Sequence, residues 1–494
     1  RRAAAAAMRP ALLVLAGAAW LGPRCHGLEA AAEEGACTAA EGPGCKGVAA
    51  APPAKKAPRR HFWPTKGGNL NGSGFAEVAV ALPLEKISWT YRPSAIVHTS
   101  PVIDDEHNVY VSDTGGRIIS LTKDGQVRWS YQASGKNAGV PALHGDALYC
   151  FTDDGAVVSL ALDSGKVLWW RKAAISGPAD SATVVVYRDM VLVPLTLDFY
   201  LTSGACDILA FDLEDGTMRW RYGICNRSKK PTFNGLPSVV DGMVIVHDMT
   251  GGMHAFSVED GTPRWYYPGP SNDTMSTGAS ATGPDNLAYY GFVREGNCDK
   301  GLGMVRAHDI YTGQVAWTRN FDRGINAGVA VGRLKPDGPT AVVALVSDNF
   351  MPQMASWQSA ILASQLVPAF AKIWVLQMYT FVGTVVAMDA RTGATIWTFN
   401  VDLKDRWGYP GLERGCLPDC FGTPSIGADG TVYVNWSGGM SYAIRDANGD
   451  SFINGTDPRE VSKLNHGFGT NGQTAIAPGL LVAPTCEAII GWAS

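Results

Sequence analysis

The densest run of ligand-type oxygens in this sequence is Asp446-Ala-Asn448-Gly-Asp450-Ser-Phe452-Ile-Asn454-Gly-Thr-Asp457. Oxygen side chains fall at loop positions 1, 3, 5, 9 and 12, with the Phe452 carbonyl at 7, which is the spacing of an EF-hand-type calcium loop. A hard cation needs several convergent oxygens, and this spacing wraps them around one point. Two positions depart from the pattern: Ser451 stands at 6, where glycine is usual, and Asp457 at 12 is shorter than the usual bidentate Glu. The expectation is a structural Ca2+ held by Asp446, Asn448, Asp450, Phe452, Asn454 and Asp457. A hairpin turn rich in Asp and Asn is the alternative. Asn454 also begins a glycosylation sequon, and a glycan there would compete with coordination.

Cysteine and histidine offer less. Cys206 and Cys225 flank a hairpin whose turn is Glu214-Asp215-Gly216, nine and ten residues from Asp215. That sets them nearly opposite across two antiparallel strands, as a disulfide requires; two unpaired thiols are the alternative. Cys416-Leu-Pro-Asp-Cys420 has no second pair or histidine at zinc-site distance. The nine histidines are scattered, and His98, His247 and His308 fall within or at the ends of strand-like runs, as packing or surface residues do. No Ser/His/Asp arrangement, nucleotide loop or metalloprotease motif is present. No catalytic residue is assigned.

The elements that must position these residues announce themselves by repetition. Tryptophans recur at Trp89, Trp129, Trp169, Trp220, Trp265, Trp317 and Trp397, at intervals of 40, 40, 51, 45, 52 and 80 residues. Such a period points to the blades of a propeller or a similar array. The first unit reads Ser100-Pro-Val-Ile, Val109-Tyr-Val-Ser-Asp, Gly116-Arg-Ile-Ile-Ser-Leu, Asp124-Gly125 and Val127-Arg-Trp129-Ser-Tyr. These are four short strands rich in β-branched and aromatic residues, separated by Gly/Asp turns. The segments Ala307 to Trp317 and Ala387 to Trp397 both match A-x-D-x-x-T-G-x-x-x-W, with looser copies ending at Trp169, Trp220 and Trp265 and a shorter one at Trp129. A small residue ends the third strand, Asp and Thr satisfy turn donors, and Gly supplies positive φ. The tryptophan then lands on the outer strand, where it can pack on the neighbouring blade.

This signature resembles the tryptophan-docking repeat of the pyrroloquinoline-quinone (PQQ) propellers. That family includes quinoprotein alcohol dehydrogenases and the outer-membrane assembly propeller lipoprotein. The resemblance covers residues 63–494, and the lead-in from Trp63 to Gly74 shares it. It implies an all-β, eight-bladed β-propeller of four-stranded antiparallel blades. Six blades carry a docking tryptophan, and a seventh contains Thr423-Pro-Ser-Ile426 and Val432-Tyr-Val-Asn-Trp436. The last strands, near 474–478, 480–484 and 488–492, lack a fourth, which the unpaired Lys86 to Tyr91 can supply.

Outside the repeats, Met8 and Arg9 precede an apolar run, Ala11 to Leu21, and a small-residue exit near Cys25-His26-Gly27. Residues 1–27 are therefore read as upstream residues and a secretory signal peptide. Residues 28–62, rich in Ala, Gly, Pro, Glu and Lys, form a low-complexity linker. Ten cysteines and five sequons, at Asn71, Asn226, Asn272, Asn435 and Asn454, suit a glycoprotein in the secretory pathway, extracellular or in an organelle lumen. A net charge of −4 gives no basic field for nucleic acid. The apolar insertion at 349–382 would put two strands of one hairpin on opposite sides of a membrane if it spanned one, so no stable membrane span is expected. A helical lid, a docking hairpin or retained non-coding sequence remain for it.

Enzymes of the resembled family typically carry an adjacent Cys-Cys pair beneath the quinone, a catalytic aspartate, and calcium held by Glu, Asn and Asp at the propeller's centre. This sequence has no adjacent Cys-Cys pair. The balance therefore falls against PQQ and on a non-catalytic propeller that binds a protein or glycan partner. A divergent PQQ-dependent oxidoreductase, like an alcohol or sugar dehydrogenase, is the alternative.

Overall fold

Thirty-two strands alternate with turns in a computed structural model that describes residues 59–80, 84, 86–136, 139–173, 183–195, 207–223, 233–270, 276, 278–294, 302–347, 382–401, 421–470 and 472–493. They form eight four-stranded antiparallel sheets, the eight blades of a β-propeller. Blades 1 to 7 are each built from four consecutive strands, beginning at Val102, Ala142, Val185, Ser238, Ala281, Ala330 and Ser425. Blade 8 joins Ala475–Ala477, Leu480–Pro484 and Ile489–Ala493 to Trp89–Tyr91, with Trp89 opposite Gly491 and Tyr91 opposite Ile489. Closure between the two ends of the propeller is thus as expected, and it leaves the ring without a gap.

Each blade is covered by a neighbour on both faces, which explains the composition of its middle strands. Val109–Ser112, Ala147–Phe151 and Leu480–Pro484 are buried at every position. They read as continuous apolar runs because neither face meets water. The core lies between blades: one cluster packs Val343, Val385 and Trp397 of blade 6 against Val432, Val434 and Tyr442 of blade 7.

The repeat signature has a physical cause. In six blades the ladder between the third and outermost strands shifts register at the small residue of the signature. That residue lies opposite the tryptophan: Ala307 faces Trp317, Ala387 faces Trp397, Ser159 faces Trp169. The indole then crosses to the next blade. Trp265 donates its Nε1–H to the Ile310 carbonyl at 2.8 Å, and its ring lies on Gly313, where a Cβ would come within 2.5 Å of Trp265 Cε3. Trp129, Trp169, Trp220 and Trp317 repeat the same bond, to Leu162, Leu213, Val258 and Ala390. Asp309 Oδ1 accepts from the N–H groups of Tyr311 and Thr312 and from the Thr312 hydroxyl, which holds the receiving turn in shape.

Candidate functional site

The axis of the ring is where a propeller of this kind can hold a ligand, and here the lead-in Trp63 to Ala76 runs around it. Trp63 exchanges two backbone hydrogen bonds with Ile103 of blade 1, and Leu143 of blade 2 donates to the Pro64 carbonyl. The Thr65 hydroxyl donates to Val184, at the start of blade 3. Val239 of blade 4 donates to Leu70, Thr282 of blade 5 to Asn71, and Val331 of blade 6 to Ser73. Ile426 of blade 7 bonds both Gly74 and Ala76. Blade 8 contributes the buried Gln473, whose Oε1 accepts from Gly67 N–H at 2.7 Å.

This strap therefore bonds all eight blades, blades 1 to 7 in order along its length and blade 8 through Gly67, mostly at the open axial edges of the innermost strands. Its glycines are needed for close approach: Gly74 has φ +66°, and a Cβ there would meet Gln473 Nε2 at 2.9 Å and the Pro424 carbonyl at 3.0 Å. Lys66 is buried within the strap. Near it, burial lowers the pKa of His247 to about 4, with the Lys66 charge adding to the effect. The sequence marks the strap as a family lead-in, but its path was not legible there. Its bonds join residues up to 406 positions apart.

Where the strap first meets blades 2 and 3 it walls a cavity of about 820 Å³. Arg60, His61, Asn69, Phe75, His144 and Arg188 line it. Arg59, which also lines it, pairs with Asp105 and Asp146 on the first hairpin turns of blades 1 and 2.

The Asp446–Asp457 segment forms the outer hairpin of blade 7, between Met440–Ile444 and Val461–Asn465. Asp446 accepts from the N–H groups of Gly449 and Ser451 through its two oxygens. Asn448 donates to Asp450 at 3.0 Å, and Asp450 accepts from Phe452 N–H. Ser451 has φ +65°, the left-handed conformation for which glycine is usual at position 6. Positions 1, 3 and 5 are thus brought together. Asn454 instead accepts from Thr456, and Asp457 is held by Arg459, which keeps its pKa at about 2. Spacing alone missed Glu460. It is buried, its Oε2 accepts from Asn454 N–H at 2.7 Å, and its Oε1 has no hydrogen-bond partner. Among the described residues no three His, Cys, Asp or Glu side chains converge as a metal cluster.

One buried polar chain was also not visible in the sequence. His254 bonds Asp248 at 2.8 Å and the Tyr222 hydroxyl at 3.1 Å, and Tyr222 stacks on Phe256. Acid, imidazole and phenol are all buried, and they join blade 3 to blade 4. His308 is likewise buried, as a packed residue, with burial lowering its pKa to about 4. The sequon at Asn435 is corrected by its surroundings: the side chain is buried and bonded to Thr474 and Ser441, leaving no room for a glycan. Cys206, Cys225 and residues 349–381 lie outside the described residues. No helix among the described residues is long and apolar enough to cross a membrane.

Comparison with known proteins gives a family match and a set of structural neighbours. The family model described as outer membrane protein assembly factor BamB matches residues 72–195 and 198–335. The outer membrane protein assembly factor BamB of Moranella endobia (strain PCIT) is 22% identical over 335 residues, 62% of this chain and 78% of that protein. The crystal structure of BamB from Moraxella catarrhalis aligns with a TM-score of 0.54 at 15% identity, covering 83% of this chain and 99% of that one. Quinohemoprotein alcohol dehydrogenase from Comamonas testosteroni aligns at 0.58 and 13% identity, over 87% of this chain and 80% of that one. At these identities the solved structures show a shared fold and no more.

Proposed function

The chain belongs to the PQQ-like repeat family described as outer membrane protein assembly factor BamB, and from that premise we propose that it is a non-catalytic propeller that binds a protein or glycan partner. The observation that carries this reading is the strap. The chain's own residues 63–76 are bonded to every blade around the axis, the region where the family's enzymes hold their quinone and calcium. The absence of an adjacent Cys-Cys pair agrees with it. A relative named as an outer membrane protein assembly factor supports a protein as the partner and an extracytoplasmic site of action. The secretory route rests on the signal-like segment near Met8 to Gly27 alone.

We also propose a structural calcium ion in the blade 7 hairpin, with Asp446, Asn448 and Asp450 as its first ligands. The left-handed Ser451 and the Asp446 bonds to Gly449 and Ser451 support that reading. Phe452, Asn454 and Asp457 would complete the set, which requires Asp457 to leave Arg459.

The competing function is quinone-dependent oxidation of alcohols or aldose sugars; some structural neighbours are named as quinohemoprotein alcohol dehydrogenases. Supplying the protein with PQQ, calcium and an artificial electron acceptor tests it. No turnover of ethanol or glucose is expected. Saturable, quinone-dependent turnover would replace the scaffold reading with an enzymatic one.

A further inference from the structure

The outermost strand of each blade presents an unpaired edge to solvent, and most edges here are guarded by charge or by small polar groups. The residues on either side of the docking tryptophan are Arg128 and Ser130 in blade 1, Arg219 and Arg221 in blade 3, and Arg264 and Tyr266 in blade 4. Blades 5 and 6 have Thr318 and Thr398 after it. Long charged side chains on an edge are what keep other strands from pairing with it.

Blade 2 is different. Its outermost strand, Val167–Lys172, reads Val-Leu-Trp-Trp-Arg-Lys. Leu168 and Trp170 flank the docking Trp169 and are 56% and 41% exposed; Val167 before them is exposed too, as Val127 and Met218 are at the same position of blades 1 and 3. Among the described residues it is the one edge with large apolar side chains on both sides of the docking tryptophan. No strand pairs with its outer side in the described sheet. Cations bracket the apolar stretch, with Lys166 before it and Arg171 and Lys172 after it. The stretch itself contains no acidic residue, while Lys172 pairs with Asp154 of the same blade and Arg171 donates to the Trp170 carbonyl.

Three occupants compete for such an edge. A second copy paired antiparallel about Trp169 would set Lys166 against Lys172 and Val167 against Arg171. Like charges directly opposite destabilise a ladder, so self-pairing is disfavoured. A lipid surface would accept Leu168 and Trp170 but would leave the open backbone N–H and C=O groups without partners, at several kcal/mol each by general estimate (about 2–7). An incoming strand satisfies those groups, covers the apolar side chains and, with acidic ends, neutralises the flanking cations.

We propose that the outer edge of blade 2 docks an extended apolar segment of a partner protein, flanked by acidic residues and added to the sheet as a fifth strand. This rests on the protein-binding reading and names the surface and chemistry of one partner.

The test uses the full chain and a phage-displayed library of random decapeptides. It is selected on the wild type and counter-selected on Leu168→Lys/Trp170→Lys, whose melting curve is checked against the wild type. A second variant, Leu168→Thr/Trp170→Thr, keeps strand propensity should the lysine variant fold poorly. Selected peptides are expected to alternate apolar residues between acidic ends. A synthetic copy should slow amide exchange in residues 167–172, and replacing its acidic ends by Lys should weaken binding about tenfold or more. Equal selection by wild type and threonine variant would overturn the proposal. So would protection of a different strand, or binding to phosphatidylserine vesicles that the peptide does not compete away. Quinone turnover, by contrast, would overturn the scaffold reading while leaving the edge result intact.

Discussion

At the scale of single residues, the unit of this ring is a tryptophan from one blade and a glycine from the next. The indole of Trp265 lies on Gly313, whose φ of +72° is itself a left-handed conformation. Two costs therefore meet at one atom in Gly313→Ala: a strained φ and a Cβ within 2.5 Å of the indole. Gly145 separates them, because its φ is +58° but nothing lies within 4 Å of its Cβ position. Gly145→Ala should cost about 1 kcal/mol, and Gly313→Ala about 2–4 kcal/mol, in thermal or denaturant unfolding. Equal losses would mean that the tryptophan contact adds nothing. The calcium proposal belongs to this scale as well. Calcium should raise the melting temperature by binding only the folded hairpin, and Asp446→Ala with Asp450→Ala should abolish that rise. A wild-type curve unmoved by chelator would leave the loop as a turn.

At the scale of elements, the strands were legible because each blade buries two faces and so repeats the same apolar runs, turns and tryptophan. Even the closing strand could be placed, since three strands at one end lacked a fourth and Lys86 to Tyr91 lacked a partner. Two elements were not legible in full. The strap carries no periodicity, because its residues meet different blades at irregular intervals along the segment. The calcium-type spacing gives the order of oxygens but not their competitors, so neither the Asp457–Arg459 pair nor the buried Glu460 could be anticipated. The Asn435 sequon fails for a related reason: three residues of pattern contain no information about burial. Deleting residues 63–92 would remove both the strap and the closing strand. The open axial edges and the exposed edge of Ile489–Ala493 should then cause aggregation or a large fall in melting temperature. An unchanged melting curve would refute the closure by Trp89–Tyr91.

At the scale of the whole molecule, stability is shared between blades, and so are its weak points. His247 and His308 are buried, with burial lowering both pKa values to about 4, against an unfolded value near 6.5. The unfolded chain therefore takes up protons that the folded ring refuses. The stability conferred by these neutral imidazoles is complete above about pH 6.5 and is lost as pH falls toward about 4. Melting temperature should decline across that interval, and His308→Gln should shallow the decline. A flat profile from pH 7 to 4 would mean that neither imidazole is held neutral by the fold.

The same scale decides function. A ring whose axis is bonded to its own lead-in has its loops and outer edges left for partners, whereas an enzyme of this fold must admit a quinone to its centre. Calorimetric titration of the full chain with PQQ in the presence of calcium distinguishes the two. A binding scaffold gives no saturable heat beyond dilution. Tight binding of one PQQ per chain would contradict it.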